Sequence, residues 1–154
     1  MTAREWLEGV RAAQLAVTAA REAHDAALER MQPHGSGGGG SHGSGGHGPM
    51  DSMPALIDRE ADYYRLVLDA RRLALDATDV LYGRGGTDGG LSAILGERYA
   101  DALYLRYVEA LDWRGVCERM GYGTDGKYPM ALARRAMAEI DARGRAACRD
   151  WGRP

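Results

Sequence analysis

From Leu103 to Met137 the chain reads LYLRYVEALDWRGVCERMGYGTDGKYPMALARRAM. Apolar residues recur at helical spacing on both sides of a glycine-rich break, and this pattern decides the fold. Tyr99, Leu103, Tyr107 and Val108 fall on one face of a helix expected to run from Leu91 to about Ala110. A short helix follows, about Trp113 to Met120, with Val116, Cys117 and Met120 inward. Gly121 to Gly126 is a turn. A last helix runs from Lys127 to about Ala142, with Pro129 in its first turn. Its inward positions are Met130, Leu132, Ala133, Ala136, Met137 and Ile140. A supporting helix, a short helix, a glycine turn and a final helix make a helix-turn-helix module, spanning 91–146 with a tail at 147–154.

Upstream, GRGGTDGG (83–90) is a loop. It has neither the preceding strand nor the terminal GK[ST] of a phosphate-binding loop. Residues 52–82 read as a long helix with Ser52 as cap and Pro54 in the first turn. Its seam is Leu56, Tyr63, Val67, Ala70, Ala74, Ala77 and Leu81, widened by Leu66, Leu73 and Val80. Residues 33–51 are a tether rich in Gly, Ser and His, too poor in apolar side chains to build a core. Residues 1–32 form another helix, with Thr2 and Glu5 spaced as a capping box. Trp6, Val10, Ala13, Val17, Ala20, His24, Ala27 and Met31 make an unbroken heptad seam. Two long helices with matching seams and one tether are expected to pair antiparallel within the chain, the alternative being a dimer. The expected fold is therefore all-α: a long antiparallel helical hairpin, or coiled coil, followed by a three-helix module.

Composition bounds the function. The 154 residues are 45% hydrophobic and 27% charged, with a net charge of −2, which is globular rather than disordered. No apolar run reaches a membrane span, and the charges at Arg4, Glu5, Glu8 and Arg11 do not fit a signal peptide. Two cysteines are too few for a disulfide framework, so a reducing cytoplasm is expected. Cys117 is read as a small core residue and Cys148 as an exposed thiol near a frayed end. Asn and Phe are absent and Lys127 is the single lysine, as in a GC-rich bacterial or phage genome. Arginine richness alone is therefore weak evidence of phosphate binding.

Its distribution says more. Residues 127–154 carry a net +4 and the rest a net −6. The basic excess lies on and just after the last helix, where phosphate contacts are made in helix-turn-helix proteins. Lys127, Tyr128, Ala131, Arg134 and Arg135 form its outward set. Glu97, Asp101, Glu109 and Asp112 have Arg98, Arg106 and Arg114 nearby and read as solvated ion pairs rather than an acid–base pair. His34, His42 and His47 sit in the tether without fixed geometry, and His24 lies on the first seam. No enzymatic activity, cofactor or metal is expected.

The 103–137 stretch resembles the C-terminal part of a phage and prophage family of sigma-70 region-4-like transcription regulators, the RinA-like and ArpU-like proteins. Leu103, Arg106, Tyr107, Val108 and Trp113 match its first hydrophobic element. Val116, Cys117, Met120, Gly121 and Tyr122 match its turn, with Cys and Met for the usual Ala and Leu. Ala136 and Met137 match its ending. GTDGKYP is about two residues longer than the family's turn, and Met130 and Ala133 replace its usual Tyr and His. The resemblance implies sequence-specific binding of double-stranded DNA. Lys127, Tyr128, Ala131, Arg134 and Arg135 would read or flank base edges, and Arg114, Arg143 and Arg145 would hold phosphates. The hairpin would contact RNA polymerase or a second copy in a homodimer. The alternatives are a coiled-coil structural or adaptor protein, and a phage packaging or recombination accessory that binds DNA without regulating transcription.

Overall fold

The structure, a computed structural model, describes residues 1–32, 49–86, 88–123 and 126–152. The tether at 33–48, with its three histidines, lies outside the described residues, as do Thr124 and Asp125 of the turn. Among the described residues all regular secondary structure is helical, as the all-α reading expects. They form α1 (Ala3–Met31), α2 (Pro49–Tyr82), α3 (Gly90–Leu95), α4 (Glu97–Leu103), α5 (Trp113–Met120), α6 (Lys127–Arg143) and α7 (Arg145–Arg149).

The two long helices run antiparallel. Gln14 Nε2 donates to the Ala70 carbonyl at 3.1 Å and the His24 ring stacks on Tyr63, so residue numbers rise on one helix as they fall on the other. The capping box at Thr2 and Glu5 is formed, and this hydrogen bonding lowers the Glu5 carboxyl below its ordinary range. The α2 boundary is corrected. The helix opens at Pro49, not Ser52, so Ser52 is no cap and Pro54 lies within the helix, where it removes one backbone hydrogen bond. Leu66 does not widen the seam, because it is exposed.

The base of the hairpin is part of the core of the C-terminal module. Trp6, Leu7 and Val10 of α1 and Ala77, Val80 and Leu81 of α2 share one buried cluster with Leu91, Leu103, Tyr107, Ala136 and Ile140. The sequence boundary between hairpin and module therefore does not separate two cores. The Asp141 carboxylate of α6 accepts the Ala3 N–H at 2.6 Å, so α6 supplies an anion to the positive end of α1.

The expected helix from Leu91 to Ala110 is broken twice. The chain bends at Gly96, whose φ of +113° lies outside any helix, to separate α3 from α4. After Leu103 it widens into a single π turn, Tyr104–Val108, closed by the Glu109 N–H on the Tyr104 carbonyl at 3.0 Å. Ala110 then adopts φ +58°, a left-handed conformation costing a non-glycine residue about 1–2 kcal/mol. The Arg106 guanidinium holds this link, donating to the Leu111 carbonyl at 2.9 Å and lying over the Trp113 ring.

The tail is also corrected. Residues 145–149 form α7, and Cys148 is fully buried rather than exposed. Arg149 pairs with Asp76 and Arg84 with Asp150, tying α7 to α2 and to the loop after it. Cys117 is buried as expected. Burial raises the Cys148 thiol above its ordinary value near 9, and burial with the hydrogen bond to Asp101 raises the Tyr82 phenol strongly. Both groups hold their protons more tightly folded than unfolded. Their contribution is intact below about pH 9 and is lost as pH rises past it, so a stability–pH profile should fall on the alkaline side. Thiol labelling at pH 8 should be at least ~100-fold slower than in denaturant, with Cys148 reacting before Cys117 because α7 is one short turn. Equal rates in native and denatured chains would contradict this burial.

Candidate nucleic-acid interface

Both ends of α5 are fixed by hydrogen bonds from backbone N–H groups. Asp112 caps α5, its Oδ1 accepting the Gly115 N–H at 2.7 Å. At the other end Gly121 takes φ +77°, a left-handed value favoured by glycine. The Tyr122 N–H reaches the Cys117 carbonyl at 2.9 Å and the Gly121 N–H the Glu118 carbonyl at 3.3 Å. This pair of bonds is the Schellman arrangement, and it fixes the chain direction out of α5. Val116 and Cys117 are buried and Met120 is half-buried beneath it.

Leu132, Ala133, Ala136, Met137 and Ile140 bury the inner face of α6, chiefly against α4. Met130 is half-buried. Lys127, Tyr128, Ala131, Arg134 and Arg135 are all exposed on the outer face, joined by Ala138 and Ala142. The ridge thus alternates long cations with alanines, so the helix backbone between them is accessible at close range. Arg135 lies 6.0 Å from the Tyr99 ring centre, and Tyr128 meets Tyr122 edge-on at 4.8 Å. Gly126 gives α6 no side-chain cap.

The structure brings a further cation to this end that the sequence reading did not single out for the site. Arg98 of α4 is exposed and shares a hydrogen bond with Tyr122, which raises its guanidinium pKa further. Arg98 and Tyr128 also line one cleft of about 380 Å³ with Tyr99 and Leu132. Arg98 lies far from α6 in sequence, and no spacing rule connects them.

Three expected phosphate contacts are redistributed. Arg114 is exposed on α5 but pairs with Glu118 at 3.2 Å. Arg143 lies nine residues beyond Arg134, half a turn around α6 from it, and about 80° around from Arg135. It pairs with Glu139 and lies 4.6 Å from the Trp151 ring centre. Arg145 lies 5.1 Å from the Trp6 ring centre. Neither belongs to the ridge: Arg143 turns toward Glu139 and Trp151, and Arg145 lies beyond the end of α6 beside Trp6. The carboxylates are reassigned too. Asp101 accepts from the Tyr82 hydroxyl at 2.6 Å, Asp112 is a cap, and Glu109 pairs with Arg119 at 3.6 Å.

Among the described residues no cluster of three His, Cys, Asp or Glu is placed to hold a metal ion, and no helix is long and apolar enough to cross a membrane. Comparison with protein-family models, curated proteins and solved structures finds no match.

Proposed function

We propose that the chain binds double-stranded DNA through the outer face of α6 and acts as a transcription regulator of phage or prophage genes, as its resemblance to sigma region 4 implies. The observation that carries the DNA-binding reading is the ridge of Lys127, Arg134 and Arg135, exposed among alanines on a helix whose inner face is buried chiefly against α4. In this reading α6 lies in a major groove. Lys127, Tyr128 and Ala131 lie nearest the base edges, and Arg134, Arg135 and Arg98 meet phosphates or guanines. The RNA polymerase contact belongs to the same proposal and falls to the hairpin.

The test is titration of a fluorescent duplex by the full chain at several salt concentrations. Three or four displaced counterions give a slope of log affinity against log salt of about −3 to −4. Selection from a random duplex pool should enrich one sequence. A slope near zero overturns DNA binding. A normal slope with no enriched sequence leaves the packaging or recombination reading in place of the regulator.

A further inference from the structure

The α1 seam occupies only one face of α2. A second seam runs alongside the first, each of its residues one position on and so about 100° around the helix: Ile57, Ala61, Tyr64, Leu68, Arg71 and Leu75, spaced 4, 3, 4, 3, 4. All six are exposed, with Ile57 at 60%, Tyr64 at 59%, Leu68 at 65% and Leu75 at 58%. An apolar stripe of this length on a solvated helix marks an interaction surface. We infer that this stripe pairs with the same stripe on a second copy of the chain, antiparallel, about a twofold axis near residue 66.

Three observations select that occupant. The tether, residues 33–48, has no apolar side chain except Pro33 and has nothing to bury the stripe with. A lipid surface is disfavoured, because 57–79 carries six acidic and four basic residues. Self-pairing, in contrast, satisfies every layer. In the antiparallel register Ile57 meets Leu75 of the second copy, Tyr64 meets its Leu68, and Arg71 meets its Ala61, where a small side chain leaves room for the guanidinium to reach water. Flanking the seam, Asp58 faces Arg72 of the second copy, and this pair occurs twice. The Arg65 pair at the axis is offset by Asp62, which lies 3.5 Å from Arg65 in the same chain. A parallel pair would instead stack Arg71 on Arg71 inside the seam. The contact is isologous, so it closes as a dimer. Because α1 already holds α2 helical, association has no helix-ordering cost to meet.

Sedimentation of the full chain without DNA tests this independently of the DNA-binding reading. The weight-average mass should rise from one chain to two between ~1 and ~300 µM. Leu68→Glu should remain one chain throughout while keeping wild-type helicity, since the side chain is exposed. Asp58→Arg or Arg72→Asp alone should weaken the dimer about 10-fold, and the two together should restore it. A wild-type chain that stays single at ~300 µM overturns the dimer. So does Leu68→Glu associating as wild type does. Failure of the double charge swap to restore the affinity overturns the antiparallel register.

Discussion

Gly90→Ala should lower the melting temperature by about 10 °C or more. Gly90 opens α3 immediately after the loop that leaves α2, and its φ is +65°. A Cβ there would stand 2.8 Å from both the Leu81 carbonyl carbon and the Tyr82 nitrogen, and closer still to the Gly83 nitrogen. These are backbone atoms at the end of α2, so no side chain can swing aside. Left-handed strain costs about 1–2 kcal/mol. Displacing packed backbone adds about 1–3 kcal/mol more, a large share of the stability of a domain this size. The loop is held on both sides, by the Gly89 N–H on the Tyr82 carbonyl and the Gly90 N–H on the Trp151 carbonyl. A shift of Gly90 would therefore also loosen α7. Gly86→Ala is the matched control, with φ +69° and nothing within 4 Å of its Cβ. Thermal melts followed at 222 nm should give the control a loss of about 1 kcal/mol, from strain alone. Equal losses in the two variants would show that the close approach at Gly90 has no energetic weight.

That contrast also shows what a sequence displays and what it hides. GRGGTDGG announces a loop, but nothing in it distinguishes Gly86 from Gly90, because the difference lies in what α2 places beside each. The heptad seams of α1 and α2 were legible because burial on a helix leaves a period, and the structure pairs them as spaced except at the end of α1, where Met31 is exposed. The same holds for the inner face of α6 and for the capping box at Thr2. Contacts without a period were not legible. Asp141 reaches the Ala3 N–H across 138 positions of sequence, and Arg145 finds Trp6 across one more. These contacts fold the hairpin base into the module, whereas the sequence suggested two units in series. Cys148 misled for a related reason. A residue seven from the end reads as frayed unless one knows that α2 and the loop after it lie alongside. On the candidate site, the outward set of α6 followed from periodicity. Arg98 did not, and Arg143 and Arg145 were assigned from charge density, which is blind to direction around a helix axis.

The direction around that axis makes the sharpest functional test. Replacing Arg134 and Arg135 together by Glu should weaken duplex binding by at least ~100-fold at moderate salt, since two phosphate partners become two repulsive charges. The double change to Ala should cost less, and should make the slope of log affinity against log salt shallower by about 2. Neither change should unfold the chain. Both side chains are exposed, and the Arg135 contact with Tyr99 contributes no more than about 1 kcal/mol at such a site. Arg143→Ala separates the ridge from generic positive charge. It removes the same unit of charge from the same helix, but from the side that faces Trp151 and Glu139. It should leave the salt slope unchanged while lowering thermal stability slightly, through the lost contact with Trp151. If binding depended on the net +4 of the C-terminal segment and not on where α6 points it, Arg143→Ala would flatten the slope by as much as either ridge arginine changed alone. A shared decrement of about 1 per arginine, at positions 134, 135 and 143 alike, would therefore refute the α6 ridge as the DNA-binding surface even while duplex binding itself persisted.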